Sequence, residues 1–233
     1  MGASYGQFCP VAKAMELLDE RWTLLVVREL LFGSTRFNEI RRGVPRMSPA
    51  LLSTRLAHLA RAGVIERRTS GRDVEYVLTP AGRELGPVVE ALGMWGARWA
   101  GNRIDNDYDP KLLMWDMHRN VDHPHVPPGR TVVHFRFPEI EGKGALWWMT
   151  LTPGDADVCD YDPGHDLGVT VTASLRALTE VWLGERSWKE VQRSGEVEID
   201  GPSALRRALP TWFLLAPAAA VPRPSPVPRP ARA

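Results

Sequence analysis

The sequence predicts an α+β chain in two parts: a helical N-terminal part carrying one β-hairpin, and a C-terminal part in which strands and helices build a sheet domain. Three observations predict it. Apolar residues recur at helical spacing through the first hundred positions, interrupted by one short pair of β-type runs. Four β-type runs fall between 131 and 173, the last alternating Leu167, Val169 and Val171 against Gly168, Thr170 and Thr172. Charge divides along the same line: residues 1–104 carry 15 Lys and Arg against 10 Asp and Glu, a net +5, and residues 105–233 carry 14 against 18, a net −4.

Residues 10–20 and 22–32 read as two helices, the second with Trp22, Leu25, Val26, Leu30 and Leu31 at helical spacing and Gly33 as a stop. A short helix over 35–42 turns Phe37 and Ile40 inward. Gly43, Val44 and Pro45 break it. The next helix opens at Ser48-Pro49, serine as cap and proline at the first helical position. It carries Leu52, Leu56 and Leu59 on one face and ends at Gly63. Val64 to Thr69 and Val74 to Leu78 read as strands joined by a turn over 70–73. Thr79-Pro80 then starts a helix expected to run to about Ile104, with Leu85, Val88, Val89, Leu92, Trp95 and Trp99 in one stripe. Helix, helix, short helix, turn, helix, hairpin, long helix is the element order of a winged helix-turn-helix, assigned to residues 1–104.

Residues 105–129 form a connector with a helix expected at Lys111–Asn120. A second domain spans 130–216, with a start as early as 110 also compatible with the pattern. Its strands are expected at 131–137, 145–152, 156–161 and 167–173, and its helices at 174–183, 187–193 and 202–213. Residues 217–233 hold six prolines and no packing pattern, which predicts a disordered tail.

Composition narrows the function classes. No apolar run approaches the ~18 residues of a membrane helix. No export signal is evident, and Cys9 and Cys159 make neither a disulfide framework nor a metal-ligand spacing, so a reduced, cytoplasmic, nucleoid-associated protein without membrane contact is expected. The GxGxxG, GxxxxGK, HExxH and GxSxG motifs are all missing, and no enzyme, cofactor or metal is expected. Asp105, Asp107 and Asp109 imitate the start of a calcium loop, but Pro110 stands where glycine is required. His118, His123 and His125 lie among prolines without a carboxylate or cysteine framework.

The basic segment points to nucleic acid. Nine arginines and only two acids, Glu39 and Glu66, lie within 36–72. With the three leucines inward, the helix after Ser48 and Pro49 presents Ala50, Thr54, His58 and Arg61, flanked by Ser53 and Arg55. Small residues there permit close approach to base edges, and Arg55 has the reach for guanine. Arg36, Arg41, Arg42 and Arg46 are candidates for phosphate contacts, and Arg67, Arg68 and Arg72 surround the hairpin tip.

These residues resemble the HxlR-type winged-helix regulators. The resemblance rests on Cys9-Pro10, Arg21-Trp22-Thr23, Arg28-Glu29-Leu30, Arg36-Phe37-Asn38-Glu39, Ser48-Pro49, Leu52-Ser53, Arg55-Leu56 and Gly63-Val64-Ile65, followed by Val74 to Leu85. It implies homodimers on palindromic or pseudo-palindromic operators, with the first helix and the Thr79–Ile104 helix forming the dimer interface. Trp95 and Trp99 agree, being large apolar groups for a small domain to bury alone. It also implies a possible redox role for Cys9, which needs a thiol of lowered pKa, with Lys13 one turn on as helper. The wing, TSGRD, is short for the family.

Residues Asp166 to Phe213 resemble the sterol-carrier-protein fold, which implies a sheet and helices around an apolar cavity. Trp147, Trp148, Met149, Trp182, Trp188 and Trp212 are the candidates to line or fill it. The expected function is therefore a DNA-binding transcriptional regulator, a repressor by preference, modulated by a small apolar effector. The alternative is a lipid or metabolite carrier whose winged helix makes protein contacts.

Overall fold

A computed structural model describes residues 4–100 and 103–222. The chain forms two compact units, the first ending at Gly93 and the second beginning at Met94.

The first unit contains α1 (Pro10–Leu18), α2 (Thr23–Leu31), α3 (Phe37–Gly43), α4 (Pro49–Arg61), β1 (Ile65–Ser70), β2 (Asp73–Leu78), α5 (Pro80–Arg83) and the start of α6 (Gly86–Trp99). Its core is one cluster in which Val26 and Val27 of α2, Ile40 of α3, and Leu52, Leu56 and Leu59 of α4 meet Val64 and Ile65. Trp22 enters α2 at φ 79, the one non-glycine residue with positive φ among those described. β1 and β2 pair antiparallel from Ile65↔Leu78 to Ser70↔Asp73, and Gly71 supplies the positive φ that the two-residue turn requires. The chain ahead of α3 is tied to β2 by one isolated bridge, Arg36 to Glu75, and Tyr76 N–H donates to the Thr35 carbonyl at 2.7 Å. This is a winged helix-turn-helix.

The helix expected over 79–104 differs. It is broken after Arg83, restarts at Gly86 and ends at Trp99. Pro87 has no N–H to bond the Arg83 carbonyl, and its ring excludes that carbonyl from the helical position. Gly82 adds a second constraint, because a Cβ there would lie 2.1 Å from the Val64 carbonyl oxygen.

The second unit holds α7 (Pro110–Arg119), β3 (Thr131–Arg136), β4 (Leu146–Thr152), β5 (Asp155–Cys159), β6 (Leu167–Ala173), α8 (Leu175–Trp182), α9 (Trp188–Arg193), β7 (Val197–Asp200) and α10 (Ser203–Ala208). The sheet order is β5-β4-β3-β6-β7, with β3 and β6 parallel and the other pairs antiparallel. One sheet face packs Phe135, Met149, Leu151 and Val171 against α7, α8 and α9. α7 belongs to this core through Leu113, Met114, Trp115 and Met117, so the stretch read as a connector supplies part of the second unit. The helix expected over 202–213 gives way at Leu209 to a 3-10 turn, because Pro210 cannot donate to the preceding turn. Residues 217–220 form a turn, with Ala216 N–H bonded to the Trp182 carbonyl at 2.9 Å. The rest of the tail, 223–233, lies outside the described residues.

Candidate nucleic-acid interface

α4 is built to show one face. Ser48 Oγ accepts from Leu51 N–H at 3.3 Å, satisfying one of the orphan donors of the first turn, and Pro49 pre-sets the helical φ. Leu52, Leu56 and Leu59 are at most 1% exposed. Burying three leucines against the core fixes the rotation of the helix, since each contributes roughly 1.5–3 kcal/mol. The outward face then carries Ser48, Pro49, Ala50, Ser53 and Thr54, all exposed, with Arg61 at the far end and His58 half-buried. Thr54 Oγ1 donates back to the Ala50 carbonyl at 3.0 Å.

Arg55 departs from the sequence expectation. Its guanidinium forms an ion pair with Glu20 and donates to the Arg21 carbonyl at 3.2 Å, leaving the side chain 15% exposed. It ties α4 to the α1–α2 turn, and reaching a base would require breaking both contacts. The sequence offered no local signal for this, because Glu20 lies 35 positions away.

Arg36, Arg41, Arg42 and Arg46 are all exposed on or beside α3, just ahead of α4. Glu39 fixes the start of α3 by accepting from the N–H groups of Thr35 and Arg36 at 2.9 and 3.0 Å. On the wing, Arg67, Arg68 and Arg72 are exposed. Arg68 is paired with Glu66 at 2.9 Å, and Arg67 donates to Thr69 Oγ1 at 3.3 Å. Arg72 sits at the tip beside Gly71.

An ion pair with one buried partner links α2 to the end of α3, and sequence reasoning missed it. Glu29 is fully buried, and Arg28 donates to its carboxylate at 2.8 and 3.1 Å and to the Gly43 carbonyl at 2.9 Å. A Cβ on Gly43 would fall 1.8 Å from Glu29 Oε2. The available signal was an acid three positions after Val26 on the apolar stripe of α2.

Cys9 is partly exposed at the start of α1. The Lys13 ammonium is bound to Glu16 at 2.9 Å, so it is already engaged and is not a dedicated partner for the thiol.

In the second unit the tryptophans fill the interior. Trp212 and Met149 are fully buried, Trp147, Trp148 and Trp182 are at most 9% exposed, and Trp188 packs half-buried at the edge. They belong to the buried cluster that packs the sheet against the helices. Trp147 and Met149 face the helices, while Trp148, one residue out of phase, stacks on His134 of β3 with centroids 4.6 Å apart. Burial beneath that ring, with Arg136 nearby, lowers the His134 pKa from its ordinary value. A cleft of about 770 Å3 opens in this unit, with charged walls at Asp105, Glu139, Arg176, Glu196 and Glu198. The three histidines of 118–125 each bind a nearby group instead of converging: His118 the Trp115 carbonyl, His123 the Thr152 carbonyl, His125 the Asp122 carboxylate. No helix among the described residues is long and apolar enough to cross a membrane.

A family model described as HxlR-like helix-turn-helix matches residues 17–104. The chain is 39% identical over 98 residues to the uncharacterized HTH-type transcriptional regulator YvaP of Bacillus subtilis (strain 168), a match covering 40% of this chain and 90% of that protein. It is 37% identical over 97 residues to the uncharacterized HTH-type transcriptional regulator sll1512 of Synechocystis sp. (strain ATCC 27184 / PCC 6803 / Kazusa), covering 40% of this chain and 72% of that one. Among solved structures, the putative transcription factor PA1607 is 32% identical over 43% of this chain and 70% of that chain, with a TM-score of 0.39. The family match ends at residue 104 and leaves most of the second unit outside it. On the family model and the identity to these two relatives, the chain belongs to the HxlR-like helix-turn-helix family of transcriptional regulators.

Proposed function

We propose that the chain is a homodimeric regulator that lays α4 in the major groove of a palindromic operator and represses by occupying the promoter. The observation carrying this reading is the outward face of α4, where small polar residues stand clear of the core between the exposed arginines of α3 and the wing. Ser53, Thr54 and Ala50 are the base-facing group, and Arg36, Arg41, Arg42 and Arg46 the phosphate-facing group. Footprinting upstream of its own gene and neighbouring genes tests it: no protected site, and no promoter enrichment among genomic fragments pulled down with the protein, would end this reading.

Arg67 and Arg72 supply the wing contact. Changing both to alanine is expected to lower the slope of log K against log salt by about 2, since each lost phosphate contact releases about one counterion fewer. An unchanged slope removes the wing from the interface.

Support for a dimer comes from the exposed apolar stripes. On α6, Val88, Leu92, Trp95 and Trp99 are 45–60% exposed, and on and before α1, Phe8 and Val11 are 99% and 70% exposed. Trp95→Asp is expected to give monomers in sedimentation and to weaken operator binding about 100-fold, because two linked half-site contacts become one. A dimer that survives this change places the interface elsewhere.

We further propose that the second unit is sterol-carrier-like. Its five-stranded sheet, the short Val197–Asp200 strand and the closing α10 support that reading.

A further inference from the structure

The cleft of the second unit lies where β6 runs into α8, and its chemistry selects a ligand. An anion would seek the α8 N-terminus, where backbone N–H groups converge. That place is taken: Glu139 Oε1 accepts from Leu175 N–H at 2.5 Å, and Ser174 Oγ accepts from Ala177 N–H at 3.1 Å. The charge of the walls disfavours an anion further, with four carboxylates, Asp105, Glu139, Glu196 and Glu198, against one arginine. Glu196 is engaged by Arg186 and Ser194, which hold its carboxyl down to about 2. Glu198 is exposed on β7, and its carboxylate has no hydrogen bond or ion pair among the described residues.

A cation already marks the position. The Arg176 guanidinium forms an ion pair with Asp105 and lies 4.8 Å over the ring of Tyr108. An aromatic face beside a carboxylate is the arrangement that holds organic cations. Arg176 is an internal occupant that can be displaced, because its side chain is 50% exposed and that of Asp105 is 94% exposed, and an exposed pair binds weakly. Ile140 and Tyr108 add apolar wall beside the charges.

Asp105 and Tyr108 also belong to the segment that follows α6 in sequence. Ion pairs join that segment to the region of α8 at two points, the exposed Arg176–Asp105 and the less exposed Arg103–Glu185. A ligand that takes Asp105 and Tyr108 from Arg176 releases one of them.

We propose that this cleft binds an organic cation with an apolar or aromatic body, a protonated or quaternary amine, and that this ligand is the effector. Its role as effector rests on the regulator reading above; its binding does not. The test is calorimetric titration of the full chain with benzyltrimethylammonium, its uncharged isostere neopentylbenzene, and phenylacetate. The cation is expected to bind once per chain, and the other two at least about tenfold more weakly. Asp105→Asn and Glu198→Gln are each expected to weaken the cation about threefold or more. Arg176→Ala is expected to strengthen it about threefold or more, since the internal competitor is gone. A purely structural role for Arg176 would give the opposite sign.

No binding of the cation, equal binding of the isostere or of phenylacetate, or an affinity that is unchanged or falls in Arg176→Ala overturns the site. Operator affinity is then measured with and without the cation at fixed salt. Operator binding without ligand tests the regulator reading alone. A ligand bound in the cleft that leaves operator affinity unchanged overturns the effector role, because coupling between two sites must appear at both.

Discussion

Gly43→Ala is expected to cost the first unit about 3–5 kcal/mol, a large share of the ~5–15 kcal/mol that holds a domain folded. The new methyl would have to occupy the space of the Glu29 carboxylate, 1.8 Å from one of its oxygens. The carboxylate is fully buried and bound by Arg28, so it yields only by giving up that pair. Gly43 closes α3, and Glu29 is held in the interior by Arg28, which also grips the Gly43 carbonyl. Moving the carboxylate breaks a buried charge pair, and moving the backbone shifts α3 against α2, so the presentation of α4 is lost with it. Denaturant titration should show the lower midpoint, and operator binding should fail in parallel. Adding Glu29→Ala to Gly43→Ala should restore part of the loss, because the methyl then enters vacated space and Arg28, 25% exposed, can reach water. If Gly43→Ala unfolds at the wild-type midpoint, the carboxylate does not sit where this geometry requires.

Ser53→Glu is expected to weaken operator binding ~100-fold, or ~2.7 kcal/mol, while leaving stability within ~0.5 kcal/mol. Ser53 lies on the outward face of α4 beside Leu52, which is buried, so the new side chain meets solvent in the free protein. In the groove the same carboxylate faces phosphates and base acceptors and cannot pair with the arginines already committed to backbone. Fluorescence anisotropy with the footprinted operator measures the loss, and a thermal melt supplies the control. Wild-type affinity in Ser53→Glu would show that α4 does not enter the groove by this face.

These two experiments probe features that differed in how well the sequence displayed them. The α4 face was legible because its determinants are local: a capping serine, a proline one residue on, and leucines at 52, 56 and 59. The Glu29–Gly43 contact was hidden because it joins residues 14 apart through a tertiary approach, and neither residue type announces the other. The use of Arg55 was hidden for the same reason, since only the fold brings Glu20 beneath it. The break before α6 was legible in Gly86-Pro87, but an apolar period that continued across it masked the break. In the second unit composition left two readings open. A group of buried tryptophans fits the lining of a cavity and the filling of a core equally well. The cleft was invisible because its walls come from residues 105–108, 138–140, 172–176 and 195–198, which share no motif and meet only once the sheet is ordered.

That sheet order has a consequence for how the chain reaches its native state. Its central pair is the parallel one, in which Val133 aligns with Val169, 36 positions later. The β3–β4–β5 meander can form by neighbouring turns, but it remains half a sheet until β6 has been synthesised and has crossed back to β3. Loop closure over that distance precedes any reward from the pairing, which slows the step. The helix-turn-helix closes through contacts nearer in sequence and emerges first from the ribosome. A growing chain would therefore pass through an interval in which the DNA-reading unit is complete while the open edge of β3 still awaits its partner, and that interval is when a chaperone, or a misplaced strand from another copy, would find it.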